Sequence, residues 1–466
     1  MEKVQLRDYQ LDIYDKIREA FKKGYKAPLA VLPCRAGKSY IMAKIVEDAN
    51  KKNSKVLILA HRNSLLEQHK ELFGDLEIKN KNIRIESVFT EVRHLGENGI
   101  PDLIIIDEAH ISGASSYQKV CEYYNCFRIG FTATPVRLDG KPLNLFDILI
   151  QGITAKKLIE KGAISDYDYY APDLHIKLND VKKSCGDFNN EQLGEAMNNK
   201  KIYGDIIKYY NLLGKGRQAI AYCVNVDHSK KVCEMFNENG ISARHIDSHT
   251  PEKERMIVLN EFKAGKFKIL CNCNLISEGI TLPSAEVGLL LRPTLSLALY
   301  IQQACRCLTP VEGKKAIIID CVNNVQRFGF PTMDRNWKLN DTLEEYYNEN
   351  NDGTFKIRVC QNCFSTFETA PVCPYCGAVY ETSPIEIQNF NEIKLRKIEE
   401  AKEEKRQRYL ENIYEKVKNY KDVKQCNNWL ELVQFAKAKG YKPGFAYVMA
   451  KRLGISFGKG KSKWKL

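Results

Sequence analysis

Gly37-Lys38-Ser39 stands between an apolar run at residues 27–32 and an apolar helical pattern at residues 40–49. A turn in that setting can hold phosphate. Loop N–H groups and the helix N-terminus meet the oxygens, Lys38 neutralises their charge, and Ser39 can ligate Mg2+. Three such residues alone are equally compatible with a surface loop. Asp107 and Glu108 change the reading, because they follow the apolar run "LIII" and so leave one strand end together. Asp107 could anchor Mg2+ there and Glu108 could polarise an attacking water. A helix cap after a buried strand would account for Asp107 but not for the pair in this order. The chemistry implied is hydrolysis of a nucleoside triphosphate.

A second constellation is Cys360-x-x-Cys363 followed by Cys373-x-x-Cys376. Four thiolates at this spacing suit a closed, tetrahedral, structural Zn2+ site and leave no position open for catalysis. Cys271-x-Cys273 and Cys305-x-Cys307 have no partners at metal spacing and read as small buried residues. Sixteen Cys in total, one tight cluster among scattered thiols, indicate reduced thiols rather than a disulfide framework.

The elements that position these residues repeat one rhythm. "APLAVL", "KVLILA", "PDLIIID" and "CFRIGFT" each precede a turn or helix pattern. A second series, "QAIAYC", "SARHID", "FKILCN", "EVGLLL" and "KAIIIDC", begins near Arg217. Apolar strands alternating with helices predict parallel sheets covered on both faces. Residues 1–165 and 201–335 are therefore read as two α/β domains, with 166–200 as a polar linker or insertion. Residues 355–383 form the Cys unit, and 385–466 a basic helical region.

The chain has 466 residues and a net charge of +13. From Ile385 onward there are 20 Lys/Arg against 10 Asp/Glu, so most of the excess lies in the last part. A near-neutral body with a basic tail suggests a polyanionic partner, although a solvated Lys-rich helix has the same composition. The start "MEKVQLRDYQ" lacks the apolar run of a secretory signal, and no stretch is long enough to span a bilayer. The expectation is a cytoplasmic protein that does not bind membranes.

"LRDYQ", "PCRAGKS", "LAHRNSLLEQ", "DEAH", "GFTATPVRLDG", "SEGITLP", "LRPT" and "YIQQACRCLTP" occur in the order of the superfamily 2 helicases. The chain resembles the branch of XPB, UvrB and the type I and III restriction motors. With a Cys unit directly after the second motor domain, it is most similar to the bacterial RadD type and its phage-encoded relatives. The resemblance implies two tandem RecA-like domains, a four-cysteine zinc ribbon, and ATP hydrolysis with Mg2+ in a bacterium or phage-infected cell.

Position by position, the resemblance gives Gln10, supported by Arg7, the adenine edge. Cys34, Arg35, Ala36, Gly37, Lys38 and Ser39 form the phosphate loop. His110, Thr132 and Thr134 would couple nucleotide state to nucleic acid. Glu278, Gly279, Gln302 and Arg306 would approach the nucleotide from the second domain. Arg62, Thr90, Ser277 and Thr281 occupy positions of backbone-directed nucleic-acid contacts. The implied partner is nucleic acid, DNA more than RNA, held with little sequence specificity, together with repair or replication proteins.

Two departures stand out. Cys34 and Arg35 replace Thr and Gly of the related loop "PTGAGKS". Arg35 must then take an ordinary backbone conformation or carry strain. In "QQACRCLTP", Cys305 and Cys307 replace glycines and Thr309 replaces a second Arg, commonly a transition-state finger. Arg306 then suffices, or Lys314 or Lys315 substitutes, or turnover is slow. A DNA helicase or translocase is the leading reading. A nucleotide-responsive clamp with weak turnover and the motor of a defence or restriction complex are the alternatives.

Overall fold

In the computed structural model the apolar runs form two six-stranded sheets in which every strand is parallel to its neighbours. Described are residues 4–78, 82–137, 142–172, 174, 176, 178, 180–184, 186–198, 200–273, 275, 282–339, 357–370, 372–379, 411, 413–442 and 444–455. The first sheet comprises β1 (Pro28–Val31), β2 (Val56–Ala60), β3 (Ile83–Ser87), β4 (Leu103–Ile106), β5 (Phe127–Thr132) and β6 (Ile148–Gln151). Their spatial order is β3-β2-β4-β5-β1-β6. β1, β2 and nearly all of β4 are buried, as continuous apolar strands covered on both faces require.

Helices α1 (Asp8–Lys22), α2 (Lys38–Lys51) and α3 (Asn63–Asp75) connect and flank these strands. Because all six strands run the same way, the loops after β1, β2, β3, β4 and β5 emerge along one edge of the sheet. That edge is where open α/β sheets bind ligands.

The second sheet begins earlier than the sequence suggests. Residues 166–200, read as linker or insertion, supply its edge strand β7 (Tyr167–Tyr170) and a short hairpin, β8 (Lys183–Ser184) and β9 (Asp187–Phe188). β10 (Ala219–Tyr222), β11 (Ala243–Ile246), β12 (Ile269–Asn272), β13 (Val287–Leu290) and β14 (Ala316–Asp320) complete it in the order β11-β12-β10-β13-β14-β7. Asp187 fastens the hairpin to the loop after β13, accepting from Thr294 Oγ1 at 2.8 Å and from the Leu295 N–H at 2.7 Å. The polarity that made this stretch look like linker therefore serves hydrogen bonds to the domain it belongs to.

The Cys unit carries the antiparallel pair β15 (Ile357–Val359) and β16 (Thr366–Glu368). It docks beside β7, where the Ala171 N–H donates to Phe364 O at 3.0 Å and Tyr209 packs edge-on to Phe364. From the second domain, residues 329–339 run back to β6. Gln151 Nε2 donates to Arg335 O at 2.7 Å, and Trp337 packs against core residues of both domains.

Residues 382–466 form a separate unit. Its described part includes a helical pair, Trp429–Ala438 and Gly444–Leu453, which packs with Ile413 and Val417 of a preceding helical stretch over Leu432, Phe435, Ala446 and Ala450. Much of the charged helix expected over 387–420 lies outside the described residues. No helix among the described residues is long and apolar enough to cross a membrane.

Candidate nucleotide cleft and zinc ribbon

Glycine suits position 37. It caps α2 with φ 78°, and a Cβ there would stand 2.4 Å from Gln10 Nε2. The Gln10 amide is the reason for the crowding, since it donates to Ala36 O at 3.0 Å while its oxygen accepts from the Arg7 N–H. Gln10 is thus turned onto the loop's own backbone, and neither Gln10 nor Arg7 lines the cleft. The Arg7 guanidinium reaches Tyr9 Oη.

Beyond the loop, a cleft of about 510 Å³ is lined by Cys34, Arg35, Gly37, Lys38, Ser39, Asp107 and Glu108 from the first domain. Gln302, Cys305 and Arg306 line it from the second. Four of the five residues expected to do the chemistry are charged, so their mutual fields matter. Burial opposes the Lys38 ammonium, yet Glu108, Cys34 and Asp107 together hold its pKa above the ordinary lysine value. Burial likewise opposes the Glu108 carboxylate, but Lys38, His110 and Arg306 draw it down to about 2. Cation and anion keep each other ionised in a site that would otherwise neutralise both.

Glu108 adopts φ 48°, a left-handed conformation uncommon for a non-glycine residue. From it a chain of contacts leaves the cleft. His110 Nδ1 lies 3.4 Å from Glu108 Oε2 and 3.2 Å from Thr132 Oγ1. Thr132 Oγ1 in turn accepts from the Thr134 N–H at 3.1 Å. The three residues expected to couple the nucleotide site to its surroundings therefore form one connected path.

One participant escaped sequence reasoning. His69 Nε2 lies 2.9 Å from Asp107 Oδ2, with the imidazole 1% exposed. It sits on the buried stripe Leu65, Leu66, His69 and Phe73 of α3, where a polar residue on an apolar face was the available signal. Asp107 Oδ1 accepts from the Glu108 N–H at 2.8 Å, so both carboxylate oxygens are oriented.

Arg35 resolves the question its sequence raised. It has φ 68°, so it takes the conformation glycine would have, at about 1–2 kcal/mol. Its Nη2 donates to Arg306 O across the cleft at 3.3 Å, a charge-assisted bond of comparable size. Burial, then the neighbouring Arg306, lower the guanidinium pKa to about 10, which leaves it charged at neutral pH. Lys314 and Lys315 do not serve the cleft. Lys314 Nζ donates to Pro283 O and Ala285 O, and Lys315 pairs with Asp168 at 2.5 Å, because both stand at the opposite, N-terminal end of β14.

The amino-acid sequence matches known families over the same two stretches. The family model of the type III restriction enzyme res subunit covers residues 3–137, and that of the helicase conserved C-terminal domain covers residues 203–309. A 51.5 kDa protein of a Lactococcus phage is 36% identical over 309 residues, which cover 66% of this chain and 68% of that protein. The chain belongs to the superfamily 2 helicases.

Within that superfamily it falls in the XPB, UvrB and type III restriction branch. The DNA 3'-5' translocase XPB2 of Sulfurisphaera tokodaii is 24% identical over 373 residues, 69% of this chain and 82% of that protein. The solved structure of the ATP-dependent type ISP restriction-modification enzyme LlaBIII bound to DNA has a TM-score of 0.51 at 19% identity. It covers 68% of this chain and 27% of that one, and the likeness concerns the fold alone. The chain spans about half the length of further curated relatives from yeast and an archaeal virus. Its paired α/β domains are those of a nucleic-acid helicase motor.

Of the helicase's expected nucleic-acid contacts, Arg62 follows β2 and its Nε donates to His61 Nε2 at 3.1 Å. Thr90 is exposed on the helix after β3. Both therefore stand along the edge that carries Lys38 and Asp107. Ser277, Glu278, Gly279 and Thr281 lie outside the described residues.

In the Cys unit the four sulfurs lie within 4.8 Å of one another. Cys360 and Cys376 are 3.6 Å apart, Cys363 and Cys373 3.8 Å. A Zn2+ tetrahedron with bonds of ~2.3 Å has edges of about 3.8 Å, so the donor set fits the ion. The residue after each second cysteine, Phe364 and Gly377, takes positive φ, so the two knuckles fold alike. Purified protein should carry about one zinc per chain by elemental analysis. Cys373→Ser should lose it, and a well-folded zinc-free wild type would refute the assignment.

Proposed function

We propose that the chain is an ATP-dependent DNA helicase or translocase that acts in repair, recombination or replication. The observation that carries this reading is the convergence of Lys38, Asp107 and Glu108 with Gln302 and Arg306 in one cleft between two domains. Lys38 and the loop backbone bind the phosphates of ATP. Ser39 and Asp107 would hold Mg2+, which would neutralise charge on the phosphates. Glu108, ionised by its surroundings, accepts a proton from the attacking water. Arg306 and Gln302 approach from the other side, so the transition state is fully surrounded only when the domains close. Closure and release, passed through His110, Thr132 and Thr134, would shift the grip of Arg62 and Thr90 on a strand's backbone.

Wild-type protein should hydrolyse ATP faster with single-stranded, duplex or forked DNA than without, measured against Glu108→Gln as the blank. A rate equal to that blank on every DNA and RNA would favour the clamp reading instead.

The helical pair of the C-terminal unit carries Lys437, Lys439, Lys442, Lys451 and Arg452 beside a stacked Tyr441–Phe445 pair, with ring centroids 4.2 Å apart. In this reading it adds a second hold on duplex or branched DNA. Removing residues 385–466 should weaken binding and flatten its dependence on salt, since each lost phosphate contact lowers the slope by about 0.9. Unchanged affinity and slope would leave the region a spacer.

A further inference from the structure

The two sequence departures at Cys34 and Cys305 meet in space. Cys34 belongs to the phosphate loop of the first domain, and Cys305 follows the helix Leu297–Ala304 of the second. Both side chains line the nucleotide cleft, close enough for each thiol to perturb the other. Both also line a second cavity of about 60 Å³ between the domains. Cys305 is 5% exposed, whereas Cys34 opens further towards the cleft. Cys307 faces elsewhere, with its thiol directed at Ala304 O and Ile317 O.

The pair is chemically unequal. The neighbouring Cys305, with help from Lys38 and Arg306, outweighs burial and Glu108 and brings the Cys34 thiol down to about 7. Cys305 is held well above the ordinary thiol value. The buried thiols of Cys223 and Cys321 are likewise raised by burial. A partly exposed, thiolate-prone cysteine next to a second thiol is the arrangement found at oxidation-sensitive sites.

We propose that Cys34 and Cys305 form an oxidation site, in which a hydroperoxide joins them as a disulfide that bolts the phosphate loop to the second domain. The Cys34 thiolate attacks a peroxide oxygen, the O–O bond breaks, and the departing hydroxide is protonated to water. The Cys305 sulfur then attacks the Cys34 sulfenic acid, forming S–S and breaking S–O, and the hydroxyl leaves as water with the Cys305 proton. Two thiols and one hydrogen peroxide give one disulfide and two waters. The functional consequence rests on the motor reading of the cleft. A motor that must open to exchange nucleotide stops when its two halves are covalently joined.

The test uses the full chain, reduced and zinc-loaded, treated with hydrogen peroxide and digested without reductant. Mass spectrometry should find the peptides of Cys34 and Cys305 linked. DNA-stimulated ATP hydrolysis should fall by about tenfold or more and return with dithiothreitol. Cys305→Ser, under the same treatment, should stay within about twofold of its own reduced rate. That variant keeps the ribbon cysteines, so an equal loss in it would assign the effect to other thiols and overturn the proposal. Absence of the linked peptide when Cys34 is fully oxidised would overturn it too, as would a linked protein with unchanged turnover. If the reduced protein shows no ATP hydrolysis, the motor reading fails, while the linked peptide still establishes the oxidation site.

Discussion

Glu108→Gln should lower ATP turnover by about 10²–10⁴-fold while ATP continues to bind. The substitution preserves shape and removes only the charge and the proton-accepting oxygen. In the wild type that oxygen is ionised because Lys38, His110 and Arg306 outweigh the burial that opposes it. A carboxylate held at about 2 is charged above that pH and is neutralised only as pH falls through it. Glu108 should therefore impose no acid limb on the rate between about pH 5 and 8. Single-turnover hydrolysis, with binding of a fluorescent ATP analogue measured separately, checks both halves. A Gln variant within tenfold of wild type would remove Glu108 from the proposed role.

Arg35→Gly should lower turnover by about 10²-fold, and the double variant Arg35→Gly/Thr309→Arg should recover most of it. Arg35 Nη2 and Thr309 Oγ1 both reach Arg306 O, at 3.3 and 3.4 Å, from opposite sides of the cleft. A guanidinium at either position can therefore serve the same region beside Arg306. On this reading the phosphate loop would supply the cation that the helicase resemblance implies at position 309. Glycine suits φ 68° better than arginine does, by about 1–2 kcal/mol, so the single variant should not melt earlier than wild type on backbone grounds. A catalytic loss with unchanged melting would separate chemistry from folding. Full turnover in Arg35→Gly would mean that Arg306 suffices alone.

Several elements of this motor were legible because their signals are local. "APLAVL" followed by a glycine turn and an apolar helix specifies a strand, a loop and α2 within about two dozen residues. Two Cys-x-x-Cys pairs specify a ribbon for the same reason. Polar stretches were less legible. In 166–200, Asp187 and Asn190 look solvated, yet they bond to Thr294 and Arg292 more than a hundred residues away.

What the sequence determined by itself is the set of chemical groups and the two α/β scaffolds that carry them, since period, turn residues and metal spacing act over short stretches of chain. Only the tertiary structure decided who meets whom. Parallel pairing gathers the strand ends, setting His69 against Asp107 across 38 positions and Arg35 against Arg306 across 271. It takes Lys314 and Lys315 out of the cleft, turns the Gln10 amide onto the phosphate loop, and brings Cys34 and Cys305 to the lining of one cleft. Contacts of that range follow from the packing of whole domains, which no local pattern records.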